Sequence, residues 1–329
     1  MEKQKNWPVI GHKNIIKFLQ DSITLNKIGN AYIFFGQKHL GKSLVAKYFI
    51  KSLLCEKKNG FFCDNCISCK EFAHGIYADF YEVGLEEGKK NISIEQIRKV
   101  SSKIKNSSFS GNYKIVLIKN AHNLSLPAAN SLLKVLEEPK GKMVFILISD
   151  NLQKIPLTVR SRSQIINFKP VDPSEILTFL PDKEARKEIA YSVNSRPGLA
   201  ISYMRDISLF NDYKISVDDF LDIFDLTINQ KLDYIENKIN KQKIFIEKVK
   251  IADDILNIWL SIFRDLLLSM NFSLNQIENI FAIDKIKSLS NKYSIKKIIY
   301  CIDKINQAKK YLHNNANPQL ILENLILSF

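Results

Sequence analysis

No stretch of this sequence approaches the ~18 consecutive apolar residues that a membrane-spanning helix requires. Residues 1–6 are polar and the segment after them is amphipathic, so the start of the sequence does not resemble a secretory signal peptide. We therefore expect a cytoplasmic protein without a membrane segment. In that compartment, cysteines are interpreted as metal ligands or free thiols before disulfides are considered.

Glycine and proline are nearly absent from the C-terminal part of the chain. All eleven glycines lie at or before Gly198, and eight of the nine prolines lie at or before Pro197. These residues punctuate short strands and loops, so their disappearance indicates a change of architecture. We predict a mixed α/β region that is followed by an all-helical region.

The length of 329 residues exceeds what one hydrophobic core usually serves, which predicts two or three domains. Pro170 and Pro173 indicate a linker, and the pattern after them predicts short helices. The predicted domains are an α/β domain at 1–169, a small helical domain at 170–206 and an all-α domain at 207–329.

Three short apolar runs predict buried parallel strands, at Ala31–Phe35, Ile115–Ile118 and Met143–Ile148. Helical patterns separate the runs. A capping-box pattern at Ser93 opens one helix, and Ser125 is placed to cap the next. Strands that alternate with helices predict a parallel sheet with helices on both faces.

Apolar residues in the C-terminal region recur at three- and four-residue spacing, which predicts helices that pack into a bundle. The longest stripe comprises Ile255, Ile258, Trp259, Ile262, Phe263, Leu266 and Leu267. Cys301 belongs to a second stripe, so we expect a buried thiol that packs as a small apolar residue.

The residues from Gly36 to Ser43 match the phosphate-binding pattern G-x-x-x-x-G-K-[ST] between a predicted strand and a predicted helix. In such a loop, glycines at positions 36 and 41 let backbone N–H groups surround a phosphate, with support from the helix dipole. Lys42 would reach the β- and γ-phosphates, and the Ser43 hydroxyl would bind Mg²⁺. The pattern makes Gly36, Gly41, Lys42 and Ser43 candidate nucleotide-binding residues.

Four of the five cysteines form a cluster in the sequence, at Cys55, Cys63, Cys66 and Cys69. Overlapping C-x-x-C pairs of soft thiolates suit tetrahedral Zn²⁺. An iron–sulfur cluster is the alternative, because C-x₂-C-x₂-C begins the bacterial ferredoxin pattern, although the rest of that pattern is absent. Four protein ligands leave no open coordination position, so we predict a structural zinc module at 55–69.

The formal net charge of +14 is compatible with binding to nucleic acid. The lysines are spread along the chain without a block, however, so a direct nucleic-acid surface remains an open possibility.

The predicted strand at 115–118 lacks the acidic residues that a P-loop ATPase carries at its end. It runs instead into Lys119 and Asn120. A cation cannot coordinate Mg²⁺, and an amide cannot accept a proton from water. We therefore expect no intrinsic ATP hydrolysis, while binding of ATP or ADP is left open.

The segment that begins at Lys114, KIVLIKNAHNLSLPAANSLLKVLEEP, resembles the AAA+ subunits of bacterial clamp loaders, which normally carry acidic residues at positions 119 and 120. The resemblance implies an AAA+ domain at 1–169 with an inserted zinc module, a small helical lid and a helical collar domain. It also implies that Arg162, in the segment 158–163, is an arginine finger that enters the ATP site of a neighbouring subunit.

Within that family, the lost acidic pair, the length and the lack of a long C-terminal extension resemble the delta-prime branch of DNA polymerase III clamp loaders. This implies a stator that assembles with motor (tau/gamma) and delta subunits into a hetero-pentamer and meets primed DNA and the sliding clamp through that complex. Two alternatives stay open, an ATP-hydrolysing motor subunit and a zinc-containing nucleic-acid-binding protein that acts alone.

Overall fold

The computed structural model of the chain describes residues 7–104, 113–138, 141–182, 185–240, 244–271, 276–314 and 316–329. The chain divides into two compact units. Unit 1 runs to Phe179 and includes Arg196–Gly198, and unit 2 comprises Leu180–Ser195 and Leu199–Phe329. None of the helices in the described part of the chain is long and apolar enough to cross a bilayer.

Unit 1 contains a five-stranded sheet in which the strand order is β2-β3-β4-β1-β5 and every pairing is parallel. The strands are β1 Ala31–Phe35, β2 Phe80–Val83, β3 Lys114–Ile118, β4 Met143–Ser149 and β5 Gln164–Asn167. The three predicted strands are thereby confirmed as β1, β3 and β4. They form the buried centre of the sheet.

Strands β2 and β5 were not predicted, because they lie at the two edges of the sheet and bury little. Within β2 only Val83 is fully buried, and within β5 only Ile166 is. A four-residue strand with one buried side chain carries no clear apolar run, so a search of the sequence for apolar runs does not detect it.

Helices cover both faces of the sheet, which confirms the predicted α/β architecture. They are α1 Lys13–Thr24, α2 Lys42–Leu54, α3 Ile67–Ala73, α4 Ile94–Ile104, α5 Leu126–Glu137, α6 Leu157–Arg160 and α7 Pro173–Phe179. Alternate residues of β1 point to opposite faces. Tyr32 and Phe34 join the core formed with α1 and α2, whereas Ala31 and Ile33 join the core formed with α4 and α5.

Both predicted helix starts are confirmed by their hydrogen bonds. The Gln96 side chain accepts from the Ser93 N–H at 2.9 Å, and the Ser93 hydroxyl oxygen accepts from the Gln96 N–H at 3.3 Å. Ser125 accepts from the N–H of Ala128 at 3.3 Å. Pro139, at the end of the LEEP segment, lies outside the described residues. Each cap satisfies donors that the first turn of a helix leaves without a partner.

Unit 2 is helical, as the loss of glycine and proline predicts. Its helices are α8 Arg186–Ser192, α9 Pro197–Arg205, α10 Ile207–Asp222, α11 Ile228–Ile239, α12 Phe245–Met270, α13 Ile283–Ser290, α14 Ile295–His313 and α15 Pro318–Ile326, of which α9 has its first two residues in unit 1. Trp259 of α12 is buried at the centre, where it stacks on Phe220 at a centroid distance of 4.9 Å. Cys301 is buried as predicted. A separate small helical domain at 170–206 stays a prediction.

A buried polar network fixes the geometry of unit 2. Asp265 of α12 is fully buried and accepts the backbone N–H of Glu278 at 3.0 Å and that of Asn279 at 2.8 Å. Tyr213 donates to the Asn279 side chain at 2.7 Å, and Ser261 donates to Glu278 at 3.0 Å. Burial raises the pKa of Asp265, while these N–H donors oppose that rise. The network joins α10 and α12 to the segment before α13.

We predict that Asp265→Ala lowers the free energy of unfolding by about 2–4 kcal/mol, because it leaves two buried N–H groups without an acceptor. The measurement is urea denaturation followed by circular dichroism. Asp303→Ala is the matched control, since Asp303 is an exposed residue of α14. That control should stay within about 0.5 kcal/mol of the parent. Equal midpoints for both variants would contradict the role of the network.

Candidate functional site

The predicted phosphate loop lies between β1 and α2, at the carboxyl edge of the sheet. Gly36 has φ +150°, and a Cβ atom there would lie 2.5 Å from the carbonyl oxygen of Phe168. Gly41 has φ +88°, and a Cβ atom at that position would meet nothing within 4 Å among the described residues. Packing therefore requires glycine at position 36, and backbone conformation favours it at position 41.

Lys42 is buried at the first position of α2, with 7% of its surface exposed. Its Nζ donates to the carbonyl oxygens of Gly36 and Gln37, both at 2.5 Å. Burial lowers the pKa of Lys42 to about 8, although the nearby Asp150 carboxylate raises it. Ser43 follows as an exposed residue in the first turn of the helix. The four predicted nucleotide-binding residues are thus brought together in one loop.

Two other segments of unit 1 form hydrogen bonds with the phosphate loop. The His12 Nε2 donates to the Leu40 carbonyl at 2.8 Å, and the Gly198 N–H donates to the His39 carbonyl at 2.8 Å. A Cβ atom at Gly198 would lie 2.8 Å from the His39 oxygen, so only glycine allows this approach. These bonds satisfy two backbone carbonyl groups of the loop.

The carboxyl end of β3 carries a cation where ATPases of this fold place acids. The Lys119 Nζ lies 2.5 Å from Glu82 Oε1 on the neighbouring strand β2. Because β4 separates β3 from β1, this pair directs the ammonium away from the phosphate loop. Asn120 adopts a left-handed conformation with φ +52° and opens the short 3₁₀ turn Ala121–Asn123. Neither residue supplies a carboxylate for Mg²⁺ or for an attacking water.

Asp150 is an acid near the loop that sequence reasoning missed. It directly follows β4, and its Oδ1 lies 3.1 Å from the Nδ1 of His122. Burial lowers the pKa of His122, and the Asp150 carboxylate opposes that shift. The sequence does contain a signal for Asp150, because it is the first charged residue after the buried strand β4. The carboxyl ends of β4 and β1 lie at the same edge of the sheet.

The four clustered cysteines converge in space as predicted. Their sulfur atoms all lie within 4.8 Å of one another, with Cys55 and Cys69 buried and Cys63 and Cys66 partly exposed. Cys55 directly follows α2, Cys66 precedes α3, and Cys69 lies near the start of α3. The Cys66 N–H donates to the Cys63 sulfur at 3.3 Å. Although burial alone would raise the pKa of Cys63, the N–H groups of residues 65 and 66 lower it to about 6.

The sulfur geometry fits a single metal ion. A tetrahedral Zn²⁺ with Zn–S bonds of about 2.3 Å places its sulfurs about 3.8 Å apart, which is compatible with the observed spread. In an iron–sulfur cluster the cysteines ligate several irons and would be spread more widely. Cys55, Cys63, Cys66 and Cys69 would hold the ion, and four thiolate ligands would leave it no open coordination position.

Aromatic and ionic contacts attach the cysteine module to α2. Tyr48 stacks on Phe62 with ring centroids 5.3 Å apart. The Lys51 ammonium lies 4.6 Å from the Phe62 centroid and forms an ion pair with Asp64. The module is therefore packed against the same helix that begins in the phosphate loop.

Arg162 lies in the turn between α6 and β5, with 40% of its side chain exposed. Its Nη2 is 2.8 Å from Glu137 Oε1 at the end of α5, and its Nη1 donates to the Thr158 carbonyl at 3.2 Å. The neighbouring Arg160 is more buried than Arg162. Of these two arginines, Arg162 is the one that the fold presents on the surface.

Two family models match this chain. The model described as "DNA polymerase III, delta subunit" matches residues 11–172, and the model of the C-terminal part of the delta subunit matches residues 232–329. Together they cover well over half of the chain. The chain belongs to the DNA polymerase III clamp-loader family.

Similar proteins include delta-prime, gamma and tau subunits of DNA polymerase III. The delta-prime subunit of Bacillus subtilis is 25% identical, with 95% of this chain and 94% of that protein covered. A gamma subunit of Buchnera aphidicola is 28% identical, with 92% and 83% covered. The tau subunit of Bacillus subtilis is 35% identical, but the match spans 51% of this chain and only 30% of that protein.

Among solved structures, a gamma-subunit-related protein of Thermotoga maritima matches 96% of this chain and 97% of its own, at 14% identity and a TM-score of 0.47.

We predict that metal analysis of the purified chain finds about one Zn²⁺ ion per chain, as a four-thiolate site requires. Cys55→Ala should lose most of the metal, because three thiolates no longer enclose it. Cys301→Ala is the control, since Cys301 lies in unit 2 and outside the cluster. Equal metal content in the two variants, or iron in place of zinc, would show that the site was wrongly assigned.

We also predict a pH dependence at the phosphate loop. With a Lys42 pKa of about 8, the ammonium is charged at neutral pH and loses its proton in weakly alkaline solution. Affinity for ADP in calorimetric titrations should fall about tenfold between about pH 7 and about pH 9. Lys42→Ala should bind weakly at both pH values. An affinity that does not change with pH in the parent chain would be inconsistent with charge recognition by Lys42.

Proposed function

We propose that this chain is the stator subunit, of the delta-prime type, in a DNA polymerase III clamp loader. In this proposal it works in the cytoplasm, assembles with motor (tau/gamma) and delta subunits into a hetero-pentamer, and helps load the sliding clamp on primed DNA. It hydrolyses no ATP itself, and Arg162 completes the ATP site of a neighbouring motor subunit.

The observation that carries the proposal is the cation at the carboxyl end of β3. Lys119 is tied to Glu82, and Asn120 cannot act as a base, so the edge of the sheet that would hydrolyse ATP lacks both required carboxylates. Asp150 is the nearby acid, but its carboxylate is already engaged with His122. A P-loop next to such an edge is suited to binding a phosphate without cleaving it.

The position of Arg162 supports a role in trans. The guanidinium is at the surface of unit 1, and its planar fork of donors suits a phosphate. An arginine supplied by a neighbour stabilises the charge on the transferring phosphoryl group, which is worth about 10³ to 10⁵ in rate in P-loop enzymes. Within this proposal, Zn²⁺ at the four cysteines is structural and takes no part in that chemistry.

The alternative function is an ATP-hydrolysing motor subunit of the tau/gamma type. It is favoured by the 35% identity to a tau subunit over the first half of the chain and by the match to a gamma subunit over most of it. The residues at positions 119 and 120 speak against it, because a motor needs the carboxylates that they replace. In this proposal the shared identity reflects the common fold.

We predict that Arg162→Ala in a reconstituted complex with motor and delta subunits lowers the DNA- and clamp-stimulated ATPase rate by at least about 100-fold at the adjoining site. The total ATPase rate of the complex falls by a smaller factor if the other ATP sites remain active. Arg162→Lys should recover little, because lysine keeps the charge but loses the bidentate fork. Steady-state ATPase assays with each variant provide the measurement.

Lys154→Ala is the control, since Lys154 is an exposed cation in the loop before α6 and should leave the rate unchanged. Full activity of the Arg162→Ala complex would reject the finger. ATP hydrolysis by the isolated chain that disappears in Lys42→Ala would instead establish the motor alternative.

A further inference from the structure

Arg162 is held by acceptors from two elements of its own chain. The Glu137 carboxylate, at the last residue of α5, contacts Nη2 at 2.8 Å, and the Thr158 carbonyl in α6 accepts from Nη1 at 3.2 Å. The Ser161 hydroxyl lies 3.5 Å from Nη1. The guanidinium is thus placed between α5 and α6, which pack against each other.

The ion pair is too weak to keep Arg162 from a phosphate. Both side chains are substantially exposed, with 40% of Arg162 and 49% of Glu137 accessible to solvent. Exposed pairs of this kind are weak, so Glu137 does not hold the guanidinium back from a multiply charged phosphate. If Glu137 acted as an inhibitor by competing with the phosphate for Arg162, it would change the ATPase rate of the neighbouring site by only a few fold.

A positioning role fits the geometry better. An arginine side chain loses rotamer entropy when it is fixed, and a finger that is already held in place has lost part of that entropy before the phosphate arrives. The contacts of Arg162 in the described residues use Nη1 and one donor of Nη2. Within the described part of the chain, these contacts leave the Nε donor and the second Nη2 donor for a phosphate.

We propose that Glu137 is a positioning residue, which holds the Arg162 guanidinium in the orientation from which it enters a neighbouring ATP site. This inference rests on the proposed function, in which Arg162 acts in trans. Glu137 itself touches no nucleotide. Its effect passes entirely through the arginine.

The test uses the complete complex reconstituted with motor and delta subunits, with ATP, primed DNA and clamp present. We expect Glu137→Ala to lower the stimulated kcat about 3- to 5-fold, with the KM for ATP within about twofold of the parent, because the finger acts in the transition state. Glu137→Gln keeps an acceptor oxygen at the same place and should retain at least about half of the parent kcat.

Glu138→Ala is the matched control and should behave as the parent. Glu138 is the next residue, is exposed and forms no ion pair among the described residues. In an Arg162→Ala background, Glu137→Ala should have no further effect, which is the signature of action through the arginine.

Several results would overturn the inference. A Glu137→Ala complex with parental or raised kcat would exclude positioning, and so would an equal loss in Glu137→Ala and Glu137→Gln. A further loss in the Arg162→Ala background would place the effect elsewhere. Full ATPase activity of the Arg162→Ala complex would contradict both the proposed function and this inference. Loss of ATPase activity in the Arg162→Ala complex but not in the Glu137→Ala complex would contradict this inference alone.

Discussion

The parallel pairing of β3 with β4 and of β4 with β1 is the constraint on which the candidate site depends. Because parallel strands end at the same edge, the pairing brings the phosphate loop, Asp150 and Lys119 to one side of the sheet. The two layers of buried side chains on either face fix this register. Residues more than a hundred positions apart thereby reach the same edge, where the Gly36 N–H donates to the Ser149 carbonyl at 3.2 Å.

At this edge, a lysine and an amide occupy positions 119 and 120, and the charged groups find partners within the chain. Lys119 finds Glu82 on β2, Asp150 finds His122, and Lys42 turns to the carbonyl oxygens of its own loop. Each charged group is therefore compensated inside the chain. A motor subunit would instead leave carboxylates exposed to a metal ion, since that is how they hold Mg²⁺. This local charge pattern supports the proposed stator over the motor alternative.

The features that depend on local pattern could be predicted from the sequence. The central strands carry continuous apolar runs, and Ser93 and Ser125 carry capping signals. The loop at Gly36 and the four cysteines carry spacings that are each typical of one kind of site. All of these are present in the fold. What remained hidden depends on pairing across the chain.

Pairing partners could not be predicted because no periodicity encodes them. Glu82 lies on an edge strand with a single fully buried residue, and only the sheet order places it beside Lys119. The sequence places Glu137 at the end of a helix and gives it no further role. Its contact with Arg162 arises from the turn after α6. The sequence does not connect Asp150 with the phosphate loop. That proximity follows from the pairing of β4 with β1. In each case the contact follows from tertiary structure and not from the neighbouring sequence.

Cys55 directly follows the helix that starts at the phosphate loop, and this has a consequence for stability. The other three sulfur ligands lie within seven residues of one another, whereas Cys55 brings the end of α2 into the cluster. A metal ion held by all four thiolates would therefore join the cysteine segment to the P-loop helix. Such an ion would stabilise the folded form of this region, because a ligand that binds only the folded form shifts the folding equilibrium toward it.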